Sequence, residues 1–139
     1  LLFLADKRNI GKKLKNDLTI KNIAFIGLAQ TLALVPGVSR SGIVITTGRF
    51  LKFNRVDAAK ISFFLSIPAL AGASFIGVTD ILEEGVSFDY IIILSTLISF
   101  IFSFLTIKFL LYFLNKFSLK IFVYYRIFLS FLLLIIAYY

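Results

Sequence analysis

Apolar residues in this chain fall in long blocks separated by short charged stretches. Residues 5–21 hold Lys7, Arg8, Lys12, Lys13, Lys15 and Lys21 against Asp6 and Asp17, a basic polar loop. An apolar stretch from Asn22 to Val35 follows, then Pro36-Gly37, then a second stretch from Ser41 to Phe53. Each stretch reaches only about 20 Å as a helix, short of a hydrocarbon core of about 30 Å. Pro36 and Gly37 mark the place where a helix has to break. Three longer blocks come next, at about 58–78, 90–114 and 119–139, each long enough to span a bilayer. Asp57 is placed to cap the first of these, and Pro68 to kink it.

The flanking charges suggest how these segments are threaded. Arg49, Lys52, Arg55 and Lys60 follow the broken segment and the basic loop precedes it, so both of its ends belong on the cytoplasmic side. Residues 22–53 are therefore expected to form a re-entrant hairpin with its tip inside the membrane. One kinked spanning helix is the alternative. The loop at 79–89 carries Asp80, Glu83, Glu84 and Asp89 without lysine or arginine and is expected outside. Asn115, Lys116 and Lys120 form the next inner loop, and Tyr138 and Tyr139 end the last helix as interfacial aromatics. Ser62, Ser66, Ala69, Ala73 and Gly77 recur at helical spacing, a face for close helix packing. Ser95, Ser99, Ser103 and Thr106 read as a hydrogen-bonding stripe between helices.

Composition agrees with a membrane protein. The chain of 139 residues is 60% hydrophobic and 16% charged, against about 45–50% and 25% in soluble domains. Its mean hydropathy is +0.99. The net charge of +8 would suggest nucleic acid in a soluble protein. Here the lysines lie between apolar blocks and build no continuous basic face, so contacts with anionic lipid are the better reading and no nucleic-acid partner is expected. With no cysteine and no histidine, thiolate sites, disulfides and a histidine base are excluded. Leu1-Leu2-Phe3-Leu4 resembles the tail of a preceding helix, and the sequence is expected to begin inside a longer chain.

The chemistry concentrates in Pro36-Gly37-Val38-Ser39-Arg40-Ser41-Gly42. An arginine deep in an apolar region costs about 2.5–3.5 kcal/mol on insertion scales and needs a partner or a wet cavity. A helix is expected to start just after it, and the free N–H groups of a helix start attract anions. Arg40 adds a planar fork suited to phosphate oxygens. Ser39 and Ser41 can cap the helix, donate to a phosphate or attack one. The residues alone describe an oxyanion site at membrane depth, or a capped turn whose arginine bonds backbone carbonyls.

The run Gly27-Leu28-Ala29-Gln30-Thr31-Leu32-Ala33-Leu34-Val35, continuing through Gly42, resembles the signature of the bacitracin-resistance family of undecaprenyl-diphosphate phosphatases. Ala58-Ala59-Lys60-Ile61-Ser62-Phe63-Phe64-Leu65-Ser66-Ile67-Pro68 and Tyr125-Arg126 are similar to later landmarks of that family, in the same order. The resemblance implies an all-α integral membrane fold, a polytopic helical bundle whose re-entrant helix-turn-helix belongs to one of two inverted repeats. It implies hydrolysis of undecaprenyl diphosphate to undecaprenyl phosphate, which recycles the lipid carrier for cell-wall synthesis in the bacterial cytoplasmic membrane. By the same resemblance Arg40 clamps the diphosphate and Ser39 contacts or attacks it. Ser41 and Gly42 complete the cradle, Gly37 gives the tight turn and Gln30 supports the site. Arg126 is either a second phosphate contact or an arginine that snorkels to the interface. Mg²⁺ or Ca²⁺ is implied as cofactor, with ligands expected in an N-terminal repeat that this chain lacks. That repeat is the expected partner, and this chain the C-terminal half. Family members often carry a threonine two residues after the last motif glycine; here that position is Val44, with Thr46 and Thr47 nearby. Half of a transporter or lipid flippase with the same broken-helix anion site is the rival.

Overall fold

In a computed structural model of the chain, residues 1–6, 12–83 and 89–138 are described; Lys7, Arg8, Glu84 and Tyr139 fall outside them. The described residues form seven α-helices and a short 3-10 turn: α1 (Leu2–Asp6), α2 (Leu14–Asp17), α3 (Ile20–Gln30), the 3-10 turn (Thr31–Leu34), α4 (Arg40–Phe50), α5 (Arg55–Glu83), α6 (Tyr90–Lys116) and α7 (Lys120–Tyr138). α5, α6 and α7 are long and apolar enough to cross a membrane. Almost none of their apolar surface is buried within the chain, as expected of helices that face lipid or further protein. The protein is an all-α, multi-pass integral membrane protein.

The broken segment doubles back on itself. Thr19 caps α3, its hydroxyl accepting from the Asn22 N–H at 3.3 Å. The chain then turns through Pro36 and Gly37, whose φ of +88° lies in the left-handed region that glycine adopts at no steric cost. α4 returns along α3, and Ile26 and Val44 pack together with Phe53, Ala58 and Ile61 in the main core. The two ends of the hairpin meet: the Lys12 N–H donates to the Lys52 carbonyl at 3.2 Å, and the Leu14 N–H donates to Asp57 Oδ2 at 3.0 Å. α4 ends in a Schellman arrangement, with the Phe53 N–H on the Gly48 carbonyl and the Lys52 N–H on that of Arg49, both at 3.0 Å. Lys52 occupies the left-handed position (φ 73°) where glycine is usual.

One sequence expectation changes here. Asp57 does not cap α5, which starts at Arg55. Asn54 does, its Oδ1 accepting from the Asp57 N–H at 2.7 Å, while the Asp57 carboxylate accepts from Asn54 Nδ2 at 2.6 Å. The cap thus lies one turn earlier than expected, and Asp57 Oδ2 accepts from the Leu14 N–H as well. On α6, Ser95 and Thr106 bond the carbonyls of Ile91 and Phe102 on their own helix, each at 2.7 Å. On α5, Ser62 is buried while Ala69 and Ala73 remain exposed within this chain. The helix continues through Pro68.

Candidate functional site

The hairpin turn delivers Ser39 to the N-cap of α4, with extended backbone (φ −70°, ψ 121°). Its Oγ accepts from the Gly42 N–H at 3.1 Å and lies 3.3 Å from Ser41 Oγ. The N–H groups of Arg40 and Ser41 precede the first intrahelical bonds and remain available to an anion. Gly42 is needed for its size. A Cβ there would meet Ser39 Cβ at 3.1 Å and Oγ at 3.2 Å, and Arg126 Nη1 at 3.9 Å.

That last distance locates Arg126. It reaches from α7 to the start of α4 and lines two adjoining cavities. One, of about 320 Å³, is also lined by Gly37, Ser39, Gly42 and Thr46. The other, of about 310 Å³, is shared with Ser39, Ser41, Gly42 and Tyr125. A guanidinium beside a helix N-terminus and two serine hydroxyls is an anion site by both dipole and charge.

Arg40 and Gln30 do not line either cavity. Arg40 is the first residue of α4, turned about 100° from Ser39 around the helix axis. It leaves the same helix start on a different side, half-buried and without a hydrogen bond or ion pair among the described residues. Gln30 ends α3 before the 3-10 turn, on the approach to the tip. Val44 is buried in the core, and the threonine hydroxyl beside the cavity is that of Thr46, which donates to the Gly42 carbonyl at 2.6 Å. Thr47 bonds the Ile43 carbonyl in the same way.

Sequence reasoning missed a buried charge cluster at the base of α4. Asp6, read there as part of a polar loop, has no exposed side chain and pairs with Arg55 through Nε (2.8 Å) and Nη2 (3.0 Å). Ser118 donates to it at 2.6 Å. Arg49, 1% exposed, lies with Nε 3.3 Å from Asp6 Oδ1. That Nε is not aligned for a hydrogen bond, and Arg49 donates instead to the carbonyls of Phe53 at 2.9 Å and Asp6 at 3.0 Å. Burial by itself raises the Asp6 pKa, but the bonds from Arg55 and Ser118 and the charges of Arg55 and Arg49 outweigh it, so the net shift is downward. The available signal was Arg49 itself, an arginine inside an apolar stretch that needed an acidic partner.

The groups lining the two cavities are hydroxyls, a guanidinium and backbone N–H donors, with no carboxylate among them. A divalent cation needs oxygen ligands, usually carboxylates. The site fits an anion and does not fit Mg²⁺ or Ca²⁺.

The fold is that of a polytopic helical membrane protein in which a guanidinium, two serine hydroxyls and a helix start come together at the break in the hairpin. Residues 1–132 match the family described as bacitracin resistance protein BacA, and the chain belongs to that family. It is 49% identical to an undecaprenyl-diphosphatase of Pelagibacter ubique over 138 residues, 99% of this chain and 54% of that protein. Proteins of the same name from Thermodesulfovibrio yellowstonii and Elusimicrobium minutum are 46% and 45% identical over 94% and 99% of this chain, and 50% and 52% of their own lengths. The chain spans about half the length of the curated relatives it matches. No solved structure matches it.

Proposed function

We propose that this chain supplies the phosphate-holding half of a membrane phosphatase that converts undecaprenyl diphosphate to undecaprenyl phosphate and phosphate. The product is the lipid carrier for cell-wall synthesis, and the setting is the bacterial cytoplasmic membrane. The observation that carries the reading is Arg126 of α7 standing beside the Ser39-capped start of α4. The names of the relatives agree with it.

In this reading residues 22–53 enter and leave the membrane on one side. α4 is about 16 Å long, which puts its start near the middle of a core of about 30 Å. Phosphate oxygens take the Arg126 fork, the free N–H groups of Arg40 and Ser41, and the serine hydroxyls. Arg40, on another side of the same helix start, clamps the diphosphate from there. Ser39 Oγ already accepts from Gly42 and has only a second hydroxyl beside it. Among the described residues no base lies in reach of it, and in this reading Ser39 contacts the phosphate. The cation and the proton acceptor are assigned to the remainder of the protein, and no step is routed through a metal here.

Phosphate release from undecaprenyl diphosphate by the purified full-length protein tests the proposal. Release is expected, with none from these 139 residues alone. Movement of intact diphosphate across vesicles without release would replace the phosphatase reading with the transporter.

A further inference from the structure

A third cavity, of about 450 Å³, lies past the C-terminal end of α4, at the opposite end of that helix from the phosphate site. Asn54, Arg55, Val56, Asp57 and Lys60 of the α5 start line it, with Leu114 and Asn115 of α6. Lys60 is exposed, and neither it nor the Asn115 side chain has a hydrogen bond or ion pair among the described residues. Arg55 gives Nε and Nη2 to Asp6 and keeps Nη1 free. Asp57 Oδ2 accepts from both the Leu14 N–H and Asn54 Nδ2. Arg49, Arg55 and Lys60 against Asp6 and Asp57 leave a net positive charge in and under the cavity.

The surroundings suit an amphiphile. Ala59 of α5 and Leu114 of α6 are buried together. One and two turns beyond Lys60 on the same side of α5, Phe64 and Ile67 are exposed, and with Val56 and Leu114 in the lining they leave apolar flanks beside a polar mouth. Further cations ring the same end: Lys116 lies 4.7 Å over the Tyr112 ring and Lys12 6.0 Å over Phe53, positions typical of an interface.

We infer that this cavity binds the headgroup of an anionic phospholipid. The phosphodiester sits between the Lys60 ammonium and the free edge of Arg55, Asn115 bonds the glycerol or ester oxygens, and the acyl chains follow the apolar flanks. Basic pockets between spanning helices on the cytoplasmic side recognise lipid headgroups in this way. The Lys60 stem covers apolar surface while its charge stays at the interface. The inference does not depend on the phosphatase reading, since no residue of the phosphate site takes part.

The test uses the full-length protein in zwitterionic detergent, with thermal stability followed during titration of phosphatidylglycerol, phosphatidylcholine or soluble glycerol phosphate. Bound lipid is counted by native mass spectrometry. Phosphatidylglycerol alone is expected to stabilise the protein and remain bound, and Lys60→Gln to weaken its apparent affinity by about fivefold. Lys60 is exposed, so the lipid-free stability of that variant should match the parent. If it does not, Asn115→Leu read by mass spectrometry replaces it, with the same loss of bound lipid expected. Equal affinity in parent and variant would overturn the inference, as would equal stabilisation by phosphatidylcholine. Equal stabilisation by glycerol phosphate would make this a free-anion site, which also overturns it. Absence of any lipid effect would likewise overturn the inference.

Discussion

Asp6 and Arg49 form a buried ion pair 3.3 Å apart that joins the first helix to the last turn of α4. With Arg55 and Ser118 it also ties in the start of α5 and the loop before α7. Removing one partner of such a cluster leaves the other charges buried without compensation, at a cost of about 3–5 kcal/mol. Asp6→Asn in the full-length protein should therefore lower thermal stability sharply. An unchanged melting temperature would show that the cluster does not fix the base of the hairpin.

The same carboxylate sets a pH dependence. Its folded pKa is depressed, so its contribution is fully present above the unfolded value of about 3.9 and is lost as pH falls through the lower folded value. This group should give no change in melting temperature between pH 5 and pH 7 and a fall below about pH 4. Asp6→Asn should remove that part of the acid sensitivity. Identical acid profiles for the parent and variant would assign the sensitivity to other groups.

Gly42 tests the packing at the head of α4. A methyl group there would press on the Ser39 side chain at 3.1–3.2 Å, displacing the cap or tilting the hydroxyl. Gly42→Ala should cost about 1 kcal/mol of helix capping and reduce phosphate release more than it reduces stability. Full activity in this variant would show that the placement of Ser39 Oγ is not critical.

Threading is checked by labelling single cysteines in intact cells with an impermeant thiol reagent. Substitutions at Lys13 and Asn54, at the two joined ends of the hairpin, should be protected, and one at Asp89 should label from outside. Labelling at Asn54 with none at Lys13 would make residues 22–53 a spanning segment.

What the sequence made legible was local. A serine before an apolar run identified the cap of α4, Pro36-Gly37 marked the turn, and three long apolar blocks marked α5 to α7 to within a few residues. Asn54 is a standard N-cap residue at the start of α5, but the apolar run begins at Ala58 and draws the expected start too late. Long-range pairing was hidden. Asp6 looked like one more loop charge because Arg49 and Arg55, its partners, lie 43 and 49 positions away. Nothing local in the sequence showed that α7 brings Arg126 beside Gly42, or that Arg40 stays outside the cavities that its neighbours line.

Arg126 carries the central claim, because among the described residues it brings a cation from another helix to the capped start of α4. The most direct measurement is the rate of phosphate release from undecaprenyl diphosphate by full-length Arg126→Lys, with folding checked by thermal stability. Lysine keeps the charge and loses the bidentate fork, so the account predicts a loss of about tenfold or more at unchanged stability, with Arg126→Ala at least as impaired. Turnover within about twofold of the parent in both variants would contradict it, leaving Arg126 as an interfacial arginine with no part in holding phosphate.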